Sequence, residues 1–134
     1  MPITLWWDED DNTILRADIV GDWTWEDYDA ACDEVLRLVN GIGHRVDQII
    51  DFTGCTTVPA GTASTHIYRG RTQRPVSLHV TALVEPPSLL RVVLGTFDSV
   101  FGRKLRPSLQ VRDIEEARRL IAIDRARDGR KPTE

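Results

Sequence analysis

The segment Val46-Asp47-Gln48-Ile49-Ile50-Asp51-Phe52, followed by Thr53-Gly54, decides the fold of this chain. Its centre places two β-branched apolar residues, Ile49 and Ile50, next to each other. Because neighbouring residues of a strand point to opposite faces of the sheet, burial is predicted on both faces here. Burial on both faces is typical of a parallel sheet that is covered by helices. The segment therefore predicts a central strand of a largely parallel sheet, which ends at Thr53-Gly54.

On the N-terminal side, the sequence predicts a hairpin followed by a helix. Residues 3–7 and 13–20 are rich in strand formers, and a short acidic cluster of turn-type residues separates them. Two strands joined by so short a loop run antiparallel. Thr24 and Asp27 form a variant of the capping box, and apolar residues then recur at spacings of three and four. This pattern predicts a helix that ends at Asn40-Gly41.

On the C-terminal side, strands and helices alternate. The predicted elements are a weak helix, a strand, a helix opened by Pro-Pro-Ser, a short strand and a final helix with a capping box. They lie at residues 59–73, 76–84, 86 onwards, 108–111 and 113–123. The resulting order, β-β-α-β-α-β-α-β-α, predicts an α/β fold with a mixed sheet, an N-terminal hairpin and about four helices. We assign this single domain to residues 1–125 and a polar C-terminal tail to residues 126–134.

Composition and length limit the classes of protein to which the chain can belong. It has 134 residues, of which 41% are hydrophobic and 28% are charged, as expected for one globular domain. Its apolar stretches are shorter than the roughly 20 residues of a membrane-spanning helix, and its first residues lack the basic region of a secretory signal. We therefore expect a cytoplasmic protein without a membrane span. The two cysteines, Cys32 and Cys55, form no zinc-type motif and are expected to be reduced.

The sequence contains no recognised catalytic or cofactor-binding motif. Its three histidines lack the spacing of a helical metal site, and its glycines form neither a dinucleotide-binding nor a phosphate-binding loop. We therefore expect no metal, no cofactor and no enzymatic activity. Arginines and a lysine form two short basic clusters, but the net charge is −4 and no nucleic-acid-binding motif accompanies them, so no nucleic acid is expected as a partner.

Charge is divided unevenly along the chain. Residues 1–67 hold 13 acidic and 3 basic side chains, whereas residues 68–134 hold 8 acidic and 14 basic ones. Oppositely charged regions favour association with a complementary partner, including a second copy of the same chain. A weak to moderate homodimer is therefore one expectation.

The order and spacing of three segments give the chain a family resemblance. They are Gly21 at the end of the second strand, Ile49-Ile50-Asp51-Phe52 as the central strand, and Asp113-Ile114-Glu115-Glu116-Ala117 at the start of the last helix. Over residues 3–123 the chain resembles the STAS-domain (SpoIIAA-like) family of bacterial anti-sigma-factor antagonists. It is also similar to the related group named jointly after STAS and SEC14-like proteins.

The resemblance implies a regulatory protein-interaction module, with one departure from the family pattern. In that family, a serine in an Asp-Ser-Ser-Gly-like segment caps the helix after the central strand, and a partner kinase phosphorylates it. The corresponding position here is Val58-Pro59-Ala60-Gly61, which lacks the Asp-Ser pair. The resemblance therefore implies an interaction module without the usual phosphorylated serine.

The segment from Thr56 to Arg69 is the predicted functional surface. It follows the central strand, and ligands of open α/β sheets bind at the carboxyl ends of strands. Its helix carries Gly61, Thr62, Ser64 and Thr65. These residues are small and are weak helix formers, which would let a partner approach closely and let the helix shift on binding. The candidate partner- or ligand-binding residues are Thr56, Thr57, Gly61, Thr62, Ser64, Thr65 and Arg69.

Two functional hypotheses follow. The first is a non-enzymatic STAS-like module that binds a protein partner, or a second copy of itself, through the predicted surface. The second is a domain of SEC14-like type that binds a small apolar molecule or a lipid, with the apolar third helix moving to admit it. The sequence leaves both open.

Overall fold

A computed structural model describes residues 2–55, 57–61, 63–101 and 108–129. Within these ranges it has the predicted α/β architecture, a mixed five-stranded sheet with four helices. The strands are β1 (Ile3–Trp7), β2 (Ile14–Val20), β3 (Val46–Gly54), β4 (Leu78–Val84) and β5 (Leu109–Val111). The helices are α1 (Trp25–Val39), α2 (Ala63–Thr72), α3 (Ser88–Phe101) and α4 (Ile114–Gly129).

The strands lie side by side in chain order, β1-β2-β3-β4-β5. The first two form the predicted antiparallel hairpin, and each later strand runs parallel to its neighbours. β3 is the central strand, as its two-sided apolar sequence predicts. Each parallel pair is connected through one helix, which is the arrangement that parallel strands require.

Alternation along β1 sends Trp6 and Trp7 to opposite faces, and it predicts that one is packed and the other partly exposed. The structure confirms this. Trp7 packs against the core, whereas Trp6 is 40% exposed. The Trp6 indole donates a hydrogen bond of 2.8 Å to Asp18, and the Arg16 guanidinium lies 4.6 Å from its ring centre. Polar and cationic contacts thus hold the exposed tryptophan on the sheet.

The predicted capping box starts α1. The Asp27 amide donates to the Thr24 hydroxyl at 3.0 Å, and the Thr24 amide donates to the Asp27 carboxylate at 2.9 Å. These two bonds satisfy amides that the first helical turn leaves without a partner. The helix therefore begins at a fixed residue, which also fixes Trp25 directly after the cap.

The helices divide between the two faces of the sheet. On one face, side chains of α2 and α3 such as Ile67 and Leu90 pack against Ile19 and Phe52, and α1 packs beside them. On the other face, α4 packs Ala117 and Ile121 against a separate group of strand residues, namely Ile14, Ile49, Ala82 and Val84. The face covered by α1, α2 and α3 contains the cavity described below.

The last helix is longer than the sequence predicts. It continues past residue 123 to Gly129, so residues 126–129 of the predicted tail are helical, and residues 130–134 lie outside the described ranges. The reason is a group of ion pairs around Asp47, whose side chain is fully buried. Arg125 contacts Asp47 at 2.7 Å, and Arg45 bridges Asp47 and Asp124 at 3.0 and 2.6 Å. These long-range contacts hold the end of α4 against the sheet. The segment is too polar for its sequence to indicate that it packs there.

Two other element boundaries also differ from prediction. α2 begins at Ala63 rather than near Pro59, since residues 57–61 form a loop. β4 begins at Leu78 rather than Val76, because the Leu78 amide bonds to the Pro75 carbonyl in a turn and leaves Val76 97% exposed. None of the helices described is long and apolar enough to cross a membrane.

Candidate functional site

A cavity of about 120 Å³ lies between the sheet and helices α1, α2 and α3. On the sheet side, one row of paired residues crosses four strands. Leu5 pairs with Ala17, Ala17 with Ile50, and Ile50 with Leu83. The small side chain of Ala17 in the middle of this row leaves space where a larger residue would fill it.

On the helix side, a close approach of α1 and α2 frames the cavity. A Cβ atom added to Gly70 would lie 2.8 Å from the Tyr28 hydroxyl and 3.1 Å from the Cys32 sulfur. Glycine is therefore the residue that lets α2 come this near to α1. Ala31 and Cys32 also line the cavity, so small side chains face it from both helices.

Two tryptophans line the cavity and hold the loop after β3. Trp23 and Trp25 pack edge to face, with ring centres 5.1 Å apart. The Trp23 indole donates to the Thr57 carbonyl at 3.1 Å, and the Trp25 indole donates to the Pro59 carbonyl at 3.2 Å. Each indole thus combines apolar packing with a polar anchor, so the loop that leads to α2 is fixed against the core.

The cavity also has a polar side, formed first by Gln48 and Thr81. These two residues, here called the polar pair, are direct neighbours on β3 and β4. They are only 7% and 9% exposed. Both line the cavity, and neither side chain hydrogen-bonds to another group within residues 2–55, 57–61, 63–101 and 108–129. Their polar atoms are not among the fully buried atoms that lack a partner, so they face the cavity, where a ligand or water can reach them.

Two arginines also contribute to the polar lining, Arg71 in the last turn of α2 and Arg74 two residues after the helix ends. Arg71 lines the cavity and pairs with Asp98, and it also donates to the Ser108 hydroxyl at 2.5 Å. Its guanidinium lies 4.9 Å from the centre of the Phe97 ring. Arg74 also lines the cavity and donates to the His79 carbonyl. The polar side therefore presents hydrogen-bond donors that are held by the surrounding structure.

No known family, curated protein or solved structure matches this chain. The functional interpretation therefore depends on the cavity's own residues.

The cysteine thiols are not poised for nucleophilic chemistry. Burial raises the pKa of the Cys32 thiol to about 11, and burial also raises the pKa of Cys55. Both groups are therefore protonated near neutral pH, whereas the thiolate is the reactive form. Among the described residues, no group of three His, Cys, Asp or Glu side chains could hold a metal ion.

His66 takes part in a polar contact between α1 and α2. Its Nδ1 lies 2.9 Å from the Asp29 carboxylate, and its ring stacks on Trp25 at 5.2 Å. Arg69 reaches the same carboxylate at 3.3 Å and lies 3.5 Å from Asp33. One predicted site residue, Arg69, therefore connects α2 to α1 on the outer side of the helix.

The other predicted site residues lie apart from the cavity where the structure describes them. Thr57 and Gly61 are exposed in the loop before α2, and Ser64 and Thr65 are exposed on its first turn. None of the four lines the cavity. Two more candidates, Thr56 and Thr62, lie outside the described residues. As a binding surface, this segment stays a prediction.

Sequence reasoning missed the polar pair, although one signal was present. Even-numbered residues of β3 share a face, and on that face Gln48 stands between Val46, Ile50 and Phe52. A neutral polar residue within such an apolar series marks either a hydrogen-bonded core position or a ligand contact. Choosing between these requires the cavity, which the sequence does not show.

Proposed function

We propose that this domain binds a small molecule that has a mostly apolar body and a hydrogen-bonding end, and that it acts by binding alone. One observation carries the proposal. Gln48 and Thr81 are buried beside each other, line an apolar cavity and have no hydrogen-bond partner among the described residues. A ligand that entered the cavity would form hydrogen bonds with both side chains.

The size of the cavity supports the same proposal. Small apolar ligands bind engineered cavities of about 150 Å³, so this cavity is large enough for a ligand with one ring.

The proposal is tested by two matched variants on adjacent residues of α1. Ala31 lines the cavity, and Ala30 is exposed on the same helix. A library of small organic molecules is first screened by thermal shift, and binding is then titrated through the fluorescence of Trp23 and Trp25, which line the cavity. We expect Ala31→Leu to weaken binding at least about ten-fold by filling the space, and Ala30→Leu to leave it unchanged. Equal affinity in both variants would place the ligand elsewhere.

The interaction-module hypothesis is kept as a second proposal because of one surface. Three apolar side chains on the outer side of α3, Leu89, Val92 and Val100, are each more than 60% exposed. Exposed apolar groups on one helix face favour contact with a partner, and a second copy of the chain is the simplest one. Light scattering should detect a dimer that Val92→Glu dissociates. If wild type and variant are both monomeric at high micromolar concentration, the homodimer proposal is wrong.

A further inference from the structure

The polar residues that line the cavity indicate which chemical class of ligand it binds. This inference depends on the proposed function. The polar lining of the cavity includes Gln48 and Thr81 from the sheet, Arg71 and Arg74 from the last turn of α2 and just after it, and also Gln73 and Ser108. The two arginines are cationic, and the two sheet residues are neutral donors and acceptors. None of the described residues that line the cavity is an Asp or Glu.

This set of lining residues favours a ligand whose polar end is negatively charged over one whose polar end is neutral or positive. The carboxylate that balances Arg71 belongs to Asp98, which lies outside the cavity lining. Among the described residues, the lining therefore contains two cationic side chains and no acidic one. Attraction between charges is stronger in apolar surroundings than in water, and a guanidinium matches the geometry of a carboxylate well.

The apolar part of the lining defines the body of the ligand. The row of Leu5, Ala17, Ile50 and Leu83 provides a flat aliphatic surface, and Trp23 adds an aromatic ring near it. The volume of 120 Å³ is near that of an engineered cavity that accepts benzene. A single ring or a short branched chain fits these dimensions.

We propose that the cavity selects a small monocarboxylic acid, about the size of benzoate. Its apolar body lies against the Ala17 row, and its carboxylate faces the polar pair and Arg74. Thr81 and the amide group of Gln48 donate hydrogen bonds to the carboxylate oxygens. The two strand residues therefore give specificity, and Arg71 and Arg74 give the preference for negative charge.

Three ring compounds that differ only in their polar group test this inference. Benzoate, benzamide and benzylamine are titrated into the full chain at neutral pH and constant ionic strength, and binding is followed by tryptophan fluorescence and ligand-observed NMR. We expect benzoate to bind about ten-fold or more tightly than benzamide, because hydrogen bonds to a charged group are stronger than those to a neutral one. Benzylamine should bind most weakly.

Two variants assign the preference to the named residues. Arg74→Gln should bring the benzoate-to-benzamide ratio close to one, because benzoate loses more affinity than benzamide does. Gln48→Leu serves as a second variant if Arg74→Gln does not fold, and it should weaken benzoate and benzamide together. Circular dichroism checks that each variant retains its fold.

The outcomes separate the two proposals. If benzamide or benzylamine binds as tightly as benzoate, the inference of a carboxylate is wrong, while the cavity remains a binding site. If none of the three binds but the library yields another ligand that Ala31→Leu excludes, the carboxylate inference is again wrong and the proposed function stands. If neither experiment yields a ligand, both proposals fail.

Discussion

Replacing Thr81 by valine should make the ligand-free protein more stable. The substitution keeps the shape of a β-branched side chain on a residue that is 9% exposed. It removes a hydroxyl that has no hydrogen-bond partner within the described residues. Burying a hydroxyl without a partner costs about 1–3 kcal/mol. Water that enters the cavity recovers part of this cost, so the lower end of that range applies. We therefore expect the free energy of unfolding to rise by about 1 kcal/mol.

Urea denaturation measures this change. With a slope of about 1–3 kcal/mol per molar urea, 1 kcal/mol corresponds to a midpoint shift of about 0.5 M. Thr4→Val is the matched control, because Thr4 is an exposed strand residue on β1 and reports any general gain from replacing threonine by valine in the sheet. The control should change the free energy of unfolding by less than about 0.5 kcal/mol.

A loss of stability in Thr81→Val would refute the reasoning. If the free energy of unfolding fell by about 1 kcal/mol, the hydroxyl would have a partner in the folded protein, and its burial would need no ligand to explain it. If Thr81→Val makes the protein more stable and also weakens ligand binding, Thr81 serves binding at a cost in stability.

Three further predictions concern the parts of the fold that surround the site. Asp47→Ala should lower the free energy of unfolding by about 3 kcal/mol, because it removes the fully buried carboxylate that pairs with Arg45 and Arg125. Glu34→Gln, which breaks an exposed pair, should change it by less than about 0.5 kcal/mol in the same urea titration. Gly70→Ala should destabilise the protein, because the added methyl group would clash with α1. Gly95→Ala on α3 should stabilise it by up to about 1 kcal/mol, because the added methyl group has open space there. A higher melting temperature in both variants would show that α1 and α2 separate freely. The hydrogen bond from Arg118 holds the pKa of Asp8 below its usual value, so the stability that Asp8 contributes is present at neutral pH and is lost as the pH falls through that lowered pKa. The stability difference between wild type and Asp8→Asn should therefore vanish in acid, and a difference that is constant with pH would contradict the ion pair.

Local patterns in the sequence were sufficient to predict the fold. The two-sided apolar centre of β3, the Thr24 cap and the alternation of Trp6 and Trp7 each depend on neighbours within a few residues, and each was confirmed. The predicted end of α4 was wrong, because Asp47 holds Arg125 through a contact between residues that are 78 positions apart. Local pattern contains no information on such a pair.

The cavity could not be predicted from the sequence, for a similar reason. Its sheet side combines residues from four strands, and its helix side depends on how closely Gly70 brings α2 to α1. A glycine in a weak helix indicates flexibility as readily as close packing. Most of the candidates chosen from sequence lie before α2 or in its first turn. The residues of α2 that line the cavity, Ile67, Gly70 and Arg71, lie further along the helix.

The alternation of side chains along β3 separates two kinds of evolutionary constraint. Asp47 and Ile49 point toward α4, where the buried ion pairs and the second apolar cluster hold the fold together. Gln48 and Ile50 point toward the cavity, where we propose that a ligand binds. Substitutions at even-numbered positions can therefore change ligand preference while the odd-numbered positions preserve the scaffold. An insertion or deletion of one residue in this strand would exchange the two sets, so we expect related chains to vary in β3 by substitution and to keep its length.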